Sequence, residues 1–239
     1  METECIIIHR YSNIKIISAF SFHPTKDVIN MNNKGIKPVS TSIYTNSPAW
    51  LDISTNNYDY LALDKDATKK DVDLFLFSLF IYNNIPFTAE AKSSILNLYN
   101  DLVNDDGFVL GGGLMFYEGD KKILPSCCCG LEDWSKTVKG IFDKRDVWLG
   151  HAPTPIIEYH EHSILVWSDD YRESSDPSNS KSSLISIEFS LTDLESYFTQ
   201  LKNDIKYFFE ILFYERLKEI DKSSYERVAK AVMTKFNVV

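Results

Sequence analysis

Residues 184–212 read LISIEFSLTDLESYFTQLKNDIKYFFEIL, and two periods meet inside them. Leu184-Ile185-Ser186-Ile187-Glu188-Phe189 alternates as a strand with one buried face does. Beyond it the spacing changes. Leu194, Tyr197, Phe198, Leu201, Ile205, Phe208 and Leu212 recur every three or four residues, a wide apolar stripe along a helix. Thr192 and Glu195 have the capping-box spacing, in which a hydroxyl and a carboxylate each take an orphan amide. A strand feeding a long amphipathic helix predicts an α+β protein with that helix laid on an antiparallel sheet.

The flanking sequence extends the pattern. Downstream, Ser223 and Glu226 repeat the capping spacing before a last helix carrying Val228, Ala231, Val232 and Phe236. Upstream, Ile156–Tyr159 and Ile164–Trp167 predict a hairpin turning through His160 to Ser163, after a short helix over Glu132–Phe142. Leu114–Tyr117 and Lys122–Leu124 predict another hairpin across Glu118-Gly119-Asp120. Thr68 can cap a helix running to about Tyr82, apolar on several sides and so central. Pro86 breaks it, and Thr88 caps a second helix bearing Ala91, Ile95, Leu98 and Leu102. Residues 21–58, with Pro24, Pro38 and Pro48, read as long loops with a short strand near Ser42–Tyr44. Cys5–Ile8 and Ile14–Ile17 read as an N-terminal hairpin. The expected fold is α+β, an antiparallel sheet with N-terminal helices and long C-terminal helices packed on it, in one domain over residues 1–239.

The formal charge of −9 argues against nucleic acid, which needs a dense basic surface, and against an anionic membrane. Residues 191–239 hold eight acids and eight bases, so the excess lies in residues 1–190, at 26 acids against 17 bases. A basic protein partner fits that asymmetry. The acidic start Met1-Glu2-Thr3-Glu4 is unlike a secretion signal, and the apolar run Val72–Tyr82 is too short to span a bilayer. The expectation is a cytoplasmic protein with reduced thiols.

Cys127-Cys128-Cys129 is the most unusual string. Side chains on an extended chain alternate faces, so three adjacent cysteines do not converge on one ion, and structural zinc sites space theirs by two to four residues. The reading favoured is burial under a turn, with metal binding or redox use as alternatives; a metal site would need one or two of these thiols plus His151, His160 or His162. The expectation is therefore no metal, no cofactor and no stoichiometric zinc. His160-Glu161-His162 reads as an exposed turn. His151 stands between Gly150 and Ala152-Pro153, where the backbone is tightly set, and is the better functional candidate. Gly111-Gly112-Gly113 lacks the Lys and the following helix of a phosphate loop, so it reads as a bulge or turn with close backbone approach. Glu132-Asp133 and Asp169-Asp170 are acidic pairs at a helix start and a strand end, where structural roles compete with acid–base or cation-binding ones. No Ser-His-Asp order, Gly-x-Ser-x-Gly elbow or His-Glu-x-x-His occurs.

Three segments together carry a resemblance. Leu124-Pro125-Ser126-Cys127-Cys128-Cys129-Gly130-Leu131-Glu132-Asp133-Trp134, Trp148-Leu149-Gly150-His151-Ala152-Pro153-Thr154-Pro155 and Val166-Trp167-Ser168-Asp169 resemble a group of uncharacterised bacterial proteins. The resemblance spans about residues 107–239 and implies bacterial origin. More loosely, the chain resembles the immunity proteins of toxin–antitoxin and contact-inhibition systems. The reading favoured is an interaction protein, an immunity protein that binds and neutralises a cognate toxin. Cys127, Cys128, Cys129, Glu132, Asp133 and His151 form its candidate functional loop, and Asp169 and Asp170 its candidate partner contacts. The rival is a small-molecule or metal-binding enzyme centred on Cys127–Cys129, His151 and Asp169. A third reading is a scaffold whose long C-terminal helix docks on a partner. Trp134, Trp148 and Trp167 are expected to pack together and fix the Cys127–Cys129 loop.

Overall fold

The computed structural model describes residues 34–41, 48–53, 60–104, 107–172 and 181–238. The expected N-terminal hairpin and the Ser42–Tyr44 strand lie outside these residues. The fold is α+β, and among the described residues every strand pairing is antiparallel. The strands divide between two sheets where one was expected. In the first, β1 (Lys34–Ser40), β2 (Leu61–Ala62), β3 (Gly112–Glu118) and β4 (Lys121–Ile123) take the order β2-β1-β3-β4. In the second, β5 (Ile156–Tyr159), β6 (Ser163–Trp167) and β7 (Ser186–Ser190) form a meander. The two hairpins predicted within the described residues form: Phe116 faces Ile123 across Gly119-Asp120, and Ile156 faces Trp167.

β1 departs from expectation, because residues 34–40 read as loop. Pro38 sits in its middle, yet β1 pairs on both edges. The Pro38 carbonyl accepts from Leu63 N at 3.0 Å, so the absent amide also faces the β2 side. There the ladder is only two residues long, and the pairing with β3 opposite Leu114 is left whole.

α1 (Lys69–Tyr82) is buried from Val72 through Phe80, as its all-round apolarity implies, and Thr68 with Asp71 closes the capping box. α2 (Ala91–Asn104) buries Ile95, Leu98 and Leu102. A 3₁₀ turn (Leu131–Asp133) leads into α3 (Trp134–Phe142), matching the predicted short helix. β7 runs without a linker into α4 (Leu191–Tyr207), a π-helical stretch (Phe208–Phe213) and α5 (Tyr214–Ile220), one 30-residue helix that packs on β1. α6 (Tyr225–Lys235) closes the chain. Its Phe236 and the π stretch surround Phe75, whose ring meets Phe208, Phe209, Phe213 and Phe236 edge-on at 5.2–5.9 Å.

The caps differ from the predicted ones. Ser190, not Thr192, caps α4 by accepting Thr192 N, because the helix begins directly at the strand end. Asp221 organises the turn before α6, taking Ser223 N at 2.9 Å and both serine hydroxyls. The π stretch also moves the stripe. Leu212 is half-buried, while Phe209, Phe213 and Leu217 are buried. A π turn holds more residues per turn than 3.6, so the buried face shifts on by one position.

Candidate functional site

The Cys127–Cys129 loop lies beside the segment 149–151. Ser126 N donates to Leu149 O at 2.9 Å and His151 N to Cys127 O at 3.2 Å, an isolated antiparallel bridge. The Ser126 hydroxyl and the Cys127 thiol both donate to His151 O at 2.7 Å. Gly150 has φ +102°, and a Cβ there would stand 2.7 Å from the Ser126 carbonyl group, so the approach requires glycine. Cys128 takes the left-handed conformation, with φ 63°. That one residue breaks the alternation of an extended chain. It places Cys127 and Cys128 with His151 so that the three ligand atoms lie within 4.8 Å of one another. The three thiols do not converge, as expected, and two of them meet His151, the combination that the sequence reading kept as the alternative.

Cys129 turns away and is buried, with Sγ close to Gly113. Burial, with the charges of Glu132 and Asp133 behind it, pushes its thiol up to about 11. That excludes Cys129 as a ready nucleophile at neutral pH. Glu132 is a clip within the chain: Oε2 accepts Leu110 N at 3.1 Å, and its carboxylate occupies the space a side chain at Gly130 would need. Burial raises its pKa against the amides that hold it. Asp133 pairs with Lys136 at 2.6 Å on the exposed face of α3. Gly112 passes within 3.0 Å of Ser40 Cα, counted from a Cβ, so the glycine run serves close approach of β3 to β1.

Asp169 holds the far side of the His151 turn, accepting Thr154 N at 2.7 Å and Asp170 N at 2.9 Å. Asp170 takes Arg172 through both oxygens at 2.8 Å, and the pairing with Arg172 lowers its pKa. Both carboxylates are thus engaged within the chain and stand apart from the cysteine loop's own bonds. His162 and Glu161 project from the β5–β6 turn, as expected.

The three tryptophans do not share one knot. Trp134 is buried and its indole donates to Phe236 O at 2.6 Å, tying α3 to the end of α6. Trp167 is buried and donates to Glu158 at 2.8 Å. Trp148 is 57% exposed, with its ring 5.8 Å from that of His151. Among the described residues no ring contact joins any two of the three indoles. Trp148 instead borders an open groove of about 460 Å³, whose lining includes Cys128, Gly130, Lys136, Lys139, Arg145 and Val147.

Sequence reading missed a second polar cluster. Lys37 reaches Asp64 at 2.6 Å beneath α4, and Asp204 lies buried nearby, accepting Gln200 at 2.8 Å. Burial raises the Asp204 pKa, with Asp64 adding to it. The signal was present: Asp204 lies three residues after Leu201, on the apolar stripe itself. Among the described residues, no helix is long and apolar enough to cross a membrane. No protein-family model, curated protein or solved structure matches this chain.

Proposed function

We propose that this chain is an interaction protein of the immunity kind, which binds a basic toxin domain and neutralises it. The observation that carries the reading is Trp148, a large side chain left 57% exposed at the rim of an open groove while Trp134 and Trp167 are buried. Exposed indoles beside a groove are the residues that anchor protein partners. Charge supplies the chemistry of the partner outside the groove itself, whose lining mixes Lys136, Lys139 and Arg145 with Asp133 and Asp146. Internal pairs such as Lys37–Asp64, Asp73–Arg216 and Asp170–Arg172 remove acids and bases in equal number, so the net −9 remains to act outward. The long C-terminal helix supports this placement of the surface, because its apolar stripe is committed to the core.

The enzyme reading centred on Cys127–Cys129, His151 and Asp169 has less support. Cys129 is buried with a raised pKa, and Asp169 serves backbone amides. Co-expression with the product of the adjacent upstream gene tests the proposal. Protection of the cells, a complex on gel filtration at low salt, and slower association as salt rises are expected. Trp148→Ala should weaken the complex by about tenfold or more. No protection and no complex would leave the immunity reading without support.

A further inference from the structure

The Cys127-Cys128-His151 cluster points to chemistry that partner binding does not require. We propose that this cluster binds Zn²⁺ through two thiolates and one imidazole, with the fourth position open to solvent. The donor set selects the ion: two sulfurs and a nitrogen suit a borderline-soft d¹⁰ cation and not the oxygen-seeking Mg²⁺ or Ca²⁺. Distance permits it. Tetrahedral zinc with Zn–S of about 2.3 Å and Zn–N of about 2.0–2.1 Å sets ligand atoms roughly 3.5–3.8 Å apart. The three atoms here already lie within 4.8 Å of one another, a gap that side-chain rotation closes.

The backbone around the cluster is set before any ion arrives. The bridge between Cys127 and His151 fixes the two ligand-bearing segments against each other. Gly150 allows their close approach, and Asp169 holds Thr154, three residues beyond His151. The left-handed turn at Cys128 brings the second thiol to the same side as the first. Cys128 is exposed while Cys127 and His151 are half-buried, so the ion has an entry path and the open position faces solvent at the groove. Binding displaces one proton from each thiol, and the two thiolates balance the dication. The Cys127 thiol, which now donates to His151 O, turns from that oxygen as it ionises. Cys129 is no part of the cluster, and its thiol is buried beside Gly113.

The test uses the full chain alone, purified under reducing conditions, so its outcome is independent of any protein partner. The protein is loaded with Zn²⁺, dialysed against a competing chelator and analysed for metal. In parallel it is titrated with Co²⁺, which reports thiolate ligation by charge-transfer absorption in the near ultraviolet. The expected result is one retained zinc per chain and a cobalt–thiolate band. Both should be lost in Cys128→Ser, whose exposed position spares the fold as checked by far-UV circular dichroism, and kept in His162→Ala, a surface histidine outside the cluster. Loss of all zinc from the parent to the chelator with no cobalt–thiolate band overturns the proposal. So does a folded Cys128→Ser that retains as much zinc as the parent.

Discussion

Asp73 lies in the second turn of α1, the most apolar helix, with no exposed surface, and Arg216 of α5 grips it. The guanidinium donates to its two oxygens at 2.6 and 3.0 Å, and Asp52 N adds a third bond at 2.9 Å. Removing one partner strands a buried charge, which costs far more than the pair contributes. Arg216→Met should therefore lower stability by about 3–5 kcal/mol in urea unfolding, and adding Asp73→Leu should restore much of the loss. An unchanged midpoint for Arg216→Met would show that water reaches Asp73. Asp204 behaves differently, because burial penalises its charged form. Burial raises its folded pKa above the ordinary 3.8, so the native state keeps a proton that the unfolded chain has released. Its contribution is complete below pH 3.8 and is lost as pH rises through the folded value. Asp204→Asn keeps the acceptor for Gln200 and should be more stable than the parent at neutral pH, with the difference vanishing on acidification. Melting temperatures that differ equally at pH 3 and pH 7 would count against this. At this scale the sequence was least legible. Nothing in Cys-Cys-Cys announces a left-handed middle residue, since that conformation comes from the bridge to His151 and not from local preference.

The elements were easier to read where period and burial agree. β7, α1, α2 and both hairpins follow from alternation, helical spacing and capping residues alone. β1 was hidden because proline argues against an interior strand, and only the short reach of β2 makes Pro38 acceptable. The long helix was legible up to Phe208, and then its phase slipped. Phe208→Ala and Phe213→Ala should each cost about 3–5 kcal/mol, since both rings are wholly buried against Phe75. Leu212→Ala, which a straight α-helix would make equally severe, should cost only about 1 kcal/mol at its half-buried site. Equal costs at Leu212 and Phe213 would mean that the π stretch is absent in solution.

At the scale of the molecule, a single buried apolar cluster runs from Ile36 in β1 to Phe236 after α6 and includes residues of both sheets. The 30-residue helix starts at the second sheet, crosses β1 of the first and ends against α1 and α6. Urea unfolding followed by tryptophan fluorescence and by far-UV circular dichroism should therefore give coincident curves. Two separated transitions would divide the chain into domains. The π stretch at Phe208–Phe213 also has a meaning in descent. A turn of this kind is what a helix becomes when it absorbs one inserted residue without surrendering its hydrogen bonds. An ancestor lacking that residue would have carried everything from Phe213 onward about 100° around the axis, presenting another face to α1 and α6. Lineages that never gained the insertion, or lost it again, should then show a one-residue gap between 208 and 213 accompanied by compensating changes at Phe213, Leu217 and the buried face of α6.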